Sequence, residues 1–316
     1  MDGKGETSSK RLRMLAITKQ LNFLLGSGAS MPAIPLMEGL TDEELLNNVK
    51  RVSREILNWY QRSSNVASTQ KIYDRFIQVI VDLLNLSNSR QAPRNVNIFT
   101  TNYDLFIEKA IDNALKSNKI VFNDGANGYF RRILDSSNYN RTVSYRGLNN
   151  DYLNEVPSIS LIKPHGSVNW IQDNDNIQIL NRVSCFPVVV PPTGFEAATT
   201  FLQNHFYEML RTFQLELDKP QSVLFVIGFS FQDKHIGKMV KRALQNSELM
   251  VYAIGYDDND RKKFLSNLGI AEERSNFKII TPKNITERND SEKFNLKWLT
   301  DMLSGALSGG DSNESN

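Results

Sequence analysis

A single cysteine, Cys185, is all the thiol in 316 residues. Neither an internal disulfide nor a cysteine-rich zinc site can be built within the chain. Cys185 stands between Ser184 and Phe186, ahead of Pro187-Val188-Val189-Val190, and is expected as a buried small apolar residue. Nothing near it supplies the base that a nucleophilic thiol needs. No run of about 18 apolar residues occurs either, which argues against a spanning helix. The start, Met1 to Lys10, is polar and lacks an apolar core of signal-peptide length, so a cytoplasmic, soluble protein is expected. Charge of one sign is also missing: 37 Lys and Arg against 35 Asp and Glu leave a net charge of +2. A chain whose main work is gripping phosphate backbones carries more positive charge. Direct sequence-specific nucleic-acid binding is therefore not expected. Histidine is scarce, with His165, His205 and His235 alone.

What is present is ordinary for a globular chain: 40% hydrophobic and 23% charged residues. The length can bury one large α/β core or two modest ones. The informative feature is a repeated grammar, in which an apolar run empties into small or polar residues. Asn97-Ile98-Phe99 leads into Thr100-Thr101-Asn102-Tyr103-Asp104. Phe23-Leu24-Leu25 leads into Gly26-Ser27-Gly28-Ala29-Ser30. Leu161-Ile162-Lys163-Pro164 leads into His165-Gly166-Ser167, and Val223 to Ile227 into Gly228-Phe229-Ser230. Open α/β sheets build ligand crevices where such strands end, so four of these ends point to one shared pocket.

Taken in order, residues 1–10 read as a loose arm and 304–316 as a polar tail of the same kind. The first strand covers Leu21 to Leu25. From Thr41 to about Asn88 the pattern is helical and amphipathic, with Thr41-Asp42-Glu43-Glu44 as an N-cap followed by acidic residues. Val52, Ile56 and Trp59, then Ile72, Phe76, Val79, Ile80, Leu83 and Leu84, form apolar stripes. Ser63-Ser64-Asn65 divides this segment, which is expected as a helical insert (about 39–92) over the sheet. Between Ser117 and Asn154 the pattern is irregular, with a turn at Asp124 to Gly128 and scattered Arg131, Arg132, Arg141 and Arg146. A strand from Ser158 to Pro164 follows, then a hairpin of Trp170-Ile171 with Ile177 to Leu180. Phe186 to Val190 reads as a buried strand ended by Pro191 to Gly194. After it come a long helix with Phe201, Leu202, Phe206, Met209, Leu210 and Phe213 on its apolar face, and the strand Val223 to Ile227. A helix from about Asp233 to Leu244, the strand Met250 to Ile254 and a helix from about Asp258 to Leu268 come next. The strand Phe277 to Ile280 and a last helix, roughly Ser291 to Leu303, complete the pattern. This alternation predicts an α/β, Rossmann-like parallel sheet flanked by helices, with one folded domain over 11–303.

Each site candidate has a structural alternative. Gly26-Ser27-Gly28 could be only a tight turn, because the third position of a dinucleotide fingerprint is Met31 here and Pro32 follows. Its amides could also cradle a pyrophosphate. Asn102 and Asp104 could cap the following helix, or share a face of the crevice where the carboxamide hydrogen-bonds a water or a sugar hydroxyl. His165 ends an apolar strand and precedes glycine, so its imidazole is expected to face the crevice. His205, inside an amphipathic helix, and His235, in a first helical turn, read as structural.

These four motifs, in this order over about residues 20 to 260, resemble the sirtuin family, with its Gly-Ala-Gly-x-Ser loop, Thr-Gln-Asn-x-Asp motif, catalytic His-Gly pair and later Gly-x-Ser. The resemblance implies that Gly26, Ser27, Gly28, Ala29 and Ser30 hold NAD phosphates, that Thr101 is a cofactor-binding residue and that Asp104 lines the nicotinamide pocket. It implies that Asn102 and His165 are the catalytic pair, that Gly228 and Ser230 line the phosphates and adenosine ribose, and that Gly255 and Tyr256 lie near the adenine. Protein deacylases of the family carry four zinc-binding cysteines; this chain has Cys185 alone, Thr101 replaces the usual glutamine, and Ser167 to Val190 is too short for the zinc module. With no metal expected, the chain looks most similar to sirtuin-like effectors of bacterial antiphage systems, which hydrolyse NAD to nicotinamide and ADP-ribose. The resemblance implies control by a homo-oligomer or by a partner such as a HerA-type hexameric ATPase. Two other readings use the same pocket: a deacylase or ADP-ribosyltransferase, and a non-catalytic sensor of NAD or ADP-ribose derivatives.

Overall fold

A computed structural model describes residues 4–36, 39–58, 62–86, 94–145, 155–191, 200–284 and 293–306, the backbone alone for 4–9, 200–204 and 284. In chain order its strands are β1 (Gln20–Leu25), β2 (Asn95–Thr100), β3 (Val121–Asn123), β4 (Ala126–Asn127), β5 (Arg132–Leu134), β6 (Ser158–Ile162), β7 (Trp170–Asp173), β8 (Asn176–Ile179), β9 (Ser222–Ile227), β10 (Met250–Ile254) and β11 (Phe277–Ile280). The helices are α1 (Lys4–Thr18), α2 (Asp42–Leu57), α3 (Ser64–Leu86), α4 (Phe106–Ala114), α5 (Thr200–Asp218), α6 (Lys234–Ala243), α7 (Asp260–Leu268) and α8 (Leu296–Ser304).

Seven strands form one parallel sheet in the order β11-β10-β9-β1-β2-β6-β3. All six positions of β1 and of β9 are buried, as expected of central strands covered on both faces. Alternation along β1 divides the core. Phe23 and Leu25 pack with α1, α2, α3, α4 and α8, while Leu24 joins Phe99 and the apolar faces of α5, α6 and α7. The chain leaves β1 for β2 on one side and returns through β9 on the other. The gap between β1 and β9 is therefore a switch point, where open α/β sheets place ligands. This is an α/β, Rossmann-like fold.

Thr41 caps α2 with a complete capping box: its side chain accepts the Glu44 amide, and the Glu44 carboxylate accepts the Thr41 amide. The expected division at Ser63-Ser64-Asn65 separates α2 from α3. The helical segment expected there is α2 and α3: between β1 and β2, α3 packs along α4 and α8 and against β2, with α2 beside it, in the helical layer on one face of the sheet.

Other expectations are corrected. The first helix begins at Lys4, inside the stretch read as an arm. The irregular 117–154 segment contains β3, the sheet's edge, and β4 and β5, which join the β7–β8 hairpin in a second, antiparallel sheet of order β4-β5-β8-β7. Phe186 to Val190 is not a strand. Pro187 lies inside it and Pro191 ends it, Phe186 is 88% exposed, and among the described residues its one ladder contact is the Gly166–Val189 bridge. Cys185 is exposed, not buried. Trp59, Arg146, residues 192–199 and 307–316 lie outside the described residues. Among the described residues no helix is long and apolar enough to cross a membrane.

Candidate active site

Every sequence-selected residue sits beyond the carboxyl end of one of five adjacent strands, β10, β9, β1, β2 and β6. At the switch point the loops after β1 and β9 are joined by backbone hydrogen bonds. Gly26 donates its amide to the Ile227 carbonyl and Gly28 to that of Gly228, both at 3.0 Å. Gly228 has φ +66, and a Cβ there would lie 2.3 Å from the Ala29 nitrogen. Only glycine fits such an approach without moving the loop. The Ala29 amide turns inward to the Gly26 carbonyl, so three of the amides expected to cradle phosphate are bonded within the protein. Ser27 is exposed.

Ser30 anchors the next part of the site. Its hydroxyl donates to Asp104 Oδ2 at 2.7 Å and lies 3.0 Å from the Tyr73 hydroxyl. A serine has one proton to give, and Asp104 takes it, so Tyr73 is the donor in its own pair. Asn102 adds a third contact, donating from Nδ2 to Ser30 Oγ at 3.1 Å and to the Gly26 carbonyl at 3.0 Å. Its backbone is fixed as well, because the Asn102 amide donates to Thr100 Oγ1, which itself donates to the Leu25 carbonyl. Both amide protons of the Asn102 side chain are thus committed to the β1 loop. Its Oδ1 accepts from no described residue and keeps its capacity for a ligand or water. Asp104 is 4% exposed and its Oδ1 accepts the Phe106 amide, so it holds Ser30 and the first residue of α4. Burial pushes its pKa up, with the Lys163 ammonium and these hydrogen bonds opposing.

Tyr103 joins the β2 loop to the β6 loop. Its carbonyl accepts from Ser167 Oγ and from the Val168 amide, and its hydroxyl donates to the Val190 carbonyl. The Val190 amide in turn donates to the His165 carbonyl at 2.9 Å. Asn102 and His165 therefore stand on adjoining loops stitched directly together. Gly166 must follow His165, since with φ +83 a Cβ there would lie 2.2 Å from the Val188 carbonyl oxygen. Buried Lys163 braces the same junction, donating to the Asp104 carbonyl at 2.5 Å and to Glu108 at 2.9 Å.

The His165 ring stacks on Phe206 of α5, with centroids 5.6 Å apart and planes 20° from parallel. Its Nε2 lies 3.0 Å from Asp233 Oδ2. Asp233 is also the N-cap of α6, where its Oδ1 accepts the His235 and Ile236 amides. Burial raises its pKa, but the His165 ring and the two amides outweigh that and hold it below the ordinary aspartate value. Beside His165 is a cavity of about 10 Å³, room for at most one water, lined also by Trp170, Val188 and His205. His205 Nε2 is buried with no partner among the described residues, and burial lowers its pKa to about 4.

The remaining candidates are more peripheral. Thr101 bonds back to the Leu25 carbonyl, and the Ser230 carbonyl accepts from Asn267. Gly255 and Tyr256 end β10, with Tyr256 half exposed beneath the Lys293 ammonium. Sequence reasoning missed Asp233, Tyr73 and Lys163. For Asp233 a signal existed, since an aspartate opening a helix just past Gly228-Phe229-Ser230 sits at a strand end as well as at a cap.

Residues 96–272, more than half of the chain, match the family described as the SIR2-like domain. The chain belongs to this family. SIR2-like domains use NAD as substrate. The matched span holds Asn102, His165, Gly228 and Asp233; the Gly26–Ser30 turn precedes it and touches it through the Gly28–Gly228 backbone contact. No curated protein matches the chain. Among the described residues of this SIR2-like chain, no group of three His, Cys, Asp or Glu side chains is placed to hold a metal ion.

Proposed function

We propose that this SIR2-like chain is an NAD glycohydrolase that cleaves NAD to nicotinamide and ADP-ribose. The observation that carries the reading is the orientation of Asn102: both amide protons are spent on the β1 loop, so its free oxygen can only accept. An amide oxygen that accepts one water proton turns a water lone pair outward, toward a ribose carbon. The histidine on the adjoining loop is the group available to take the second proton.

Breaking the bond between ribose C1′ and the nicotinamide nitrogen sends its electron pair onto that nitrogen, and nicotinamide leaves neutral. Positive charge develops on the ribose as an oxocarbenium ion. Water attacks C1′ on the open face, its oxygen forms the new bond, and its proton passes to His165 directly or through a ribose hydroxyl. The protein supplies position and fixed dipoles to a reaction whose leaving group needs no protonation. The backbone loops after β1 and β9 meet at Gly26, Gly28 and Gly228, at the switch point where open α/β sheets bind ligands.

An NAD glycohydrolase that ran continuously would empty its host of NAD. In this reading the trigger is association, with further copies of this chain or with a HerA-type hexameric ATPase, and the setting is antiphage defence in the cytoplasm. Incubating the purified chain with NAD, alone and in its assembled form, tests the reading. Equimolar nicotinamide and ADP-ribose are expected. Transfer of ADP-ribose to protein, or saturable binding with no nicotinamide released, would overturn it.

A further inference from the structure

The function just proposed needs His165 to take a proton but leaves open which ring nitrogen does so. The answer lies in a residue on the loop after β9. Asp233 Oδ1 accepts two backbone amides at 2.8 and 3.1 Å, and these favour an ionised carboxylate. An ionised carboxylate has only lone pairs to offer, yet Oδ2 lies 3.0 Å from His165 Nε2. The proton in that contact must sit on the imidazole. We infer that Asp233 is a positioning residue that fixes His165 as the Nε2–H tautomer, so that Nδ1 is the nitrogen that accepts the proton released by water.

Three features keep the ring in that state. Asp233 cannot swing away without uncapping α6, because one carboxylate serves both helix and histidine. Phe206 holds the ring plane by stacking. The backbone on either side of the ring is pinned by Val190 at the His165 carbonyl and by the tight Gly166 turn.

Asp233→Asn separates this role from a structural one. Asparagine caps helices as well as aspartate does, and its Oδ1 still accepts the two amides. Its Nδ2 now donates toward His165, which drives the imidazole to the opposite tautomer. Imidazole ¹⁵N spectra of the full chain, assigned with His165→Gln, read this directly in the neutral limb of a pH titration. The wild type is expected to show a protonated Nε2 and a bare Nδ1, and Asp233→Asn the reverse with an unchanged fold. In an NAD hydrolysis assay the same variant is expected to lose about 10²–10⁴-fold in kcat at similar KM. A wild-type ring protonated at Nδ1, or an unchanged tautomer in Asp233→Asn, would overturn the inference. The spectra need no turnover, so the expected tautomers in a protein that leaves NAD intact would sink the proposed function and leave this assignment standing.

Discussion

Ser30 gives its one hydroxyl proton to Asp104 at 2.7 Å, and that bond fixes the direction of every other bond around it. Because the proton points to the carboxylate, Tyr73 and Asn102 must both donate into the serine oxygen. Four side chains from the β1 loop, α3 and the β2 loop thus form one closed set, with exposures of 0 to 8%. Closed sets of this kind are rigid while complete and costly when broken.

Ser30→Ala removes the shared atom. It leaves the Asp104 oxygen and the Tyr73 hydroxyl buried and unsatisfied, and a destabilisation of about 2–4 kcal/mol follows from one such group costing roughly 1–3. Denaturant unfolding of the variant and wild type measures it. A change below about 0.5 kcal/mol would show that the network contributes little.

Two glycines, one at the seam between the β1 and β9 loops and one inside α6, are predicted to respond to substitution with opposite signs. Gly228→Ala places a Cβ 2.3 Å from the Ala29 nitrogen at a φ of +66, and is expected to displace the loop, lower Tm and abolish NAD turnover. Gly237→Ala, in the interior of α6, meets nothing nearer than 3.4 Å and is expected to raise stability by about 0.5–1 kcal/mol. Thermal melts of the two variants side by side check the pair, and equal shifts of either sign would contradict the packing described.

Much of this arrangement was legible before any coordinates. Strand ends at Gly26, Asn102, His165 and Gly228 were readable because an apolar run that stops at small or polar residues is a local signal. Thr41 was readable as a cap for the same reason. The Phe186–Val190 segment misled because three consecutive valines carry strand propensity, while the prolines and the nearest paired backbone decide whether a ladder forms. Tyr73 was hidden inside an apolar helical stripe, since periodicity places its ring in the core but not its hydroxyl against Ser30. Asp233 and His165 are 68 residues apart in number, and only the sheet order brings the loops after β9 and β6 to the same crevice. Pairings of that range are a property of topology, which no short window contains.

Acid should weaken the protein partly through Asp233. Its folded pKa lies below the ordinary aspartate value, so its contribution to stability is complete above that value and fades as pH falls through the folded one. Asp233→Asn does not titrate. The stability gap between wild type and variant is therefore expected at neutral pH and should close as the solution becomes strongly acidic. Urea unfolding across that range checks the sign, and a gap that widens in acid would contradict it.

The most direct measurement is the initial rate of nicotinamide release from NAD by the wild type, Asn102→Ala and His165→Ala under identical conditions, with folding verified for each. The account predicts release by the wild type with equimolar ADP-ribose, and rates lower by about 10²-fold or more in both variants. Wild-type rates in either well-folded variant would contradict it.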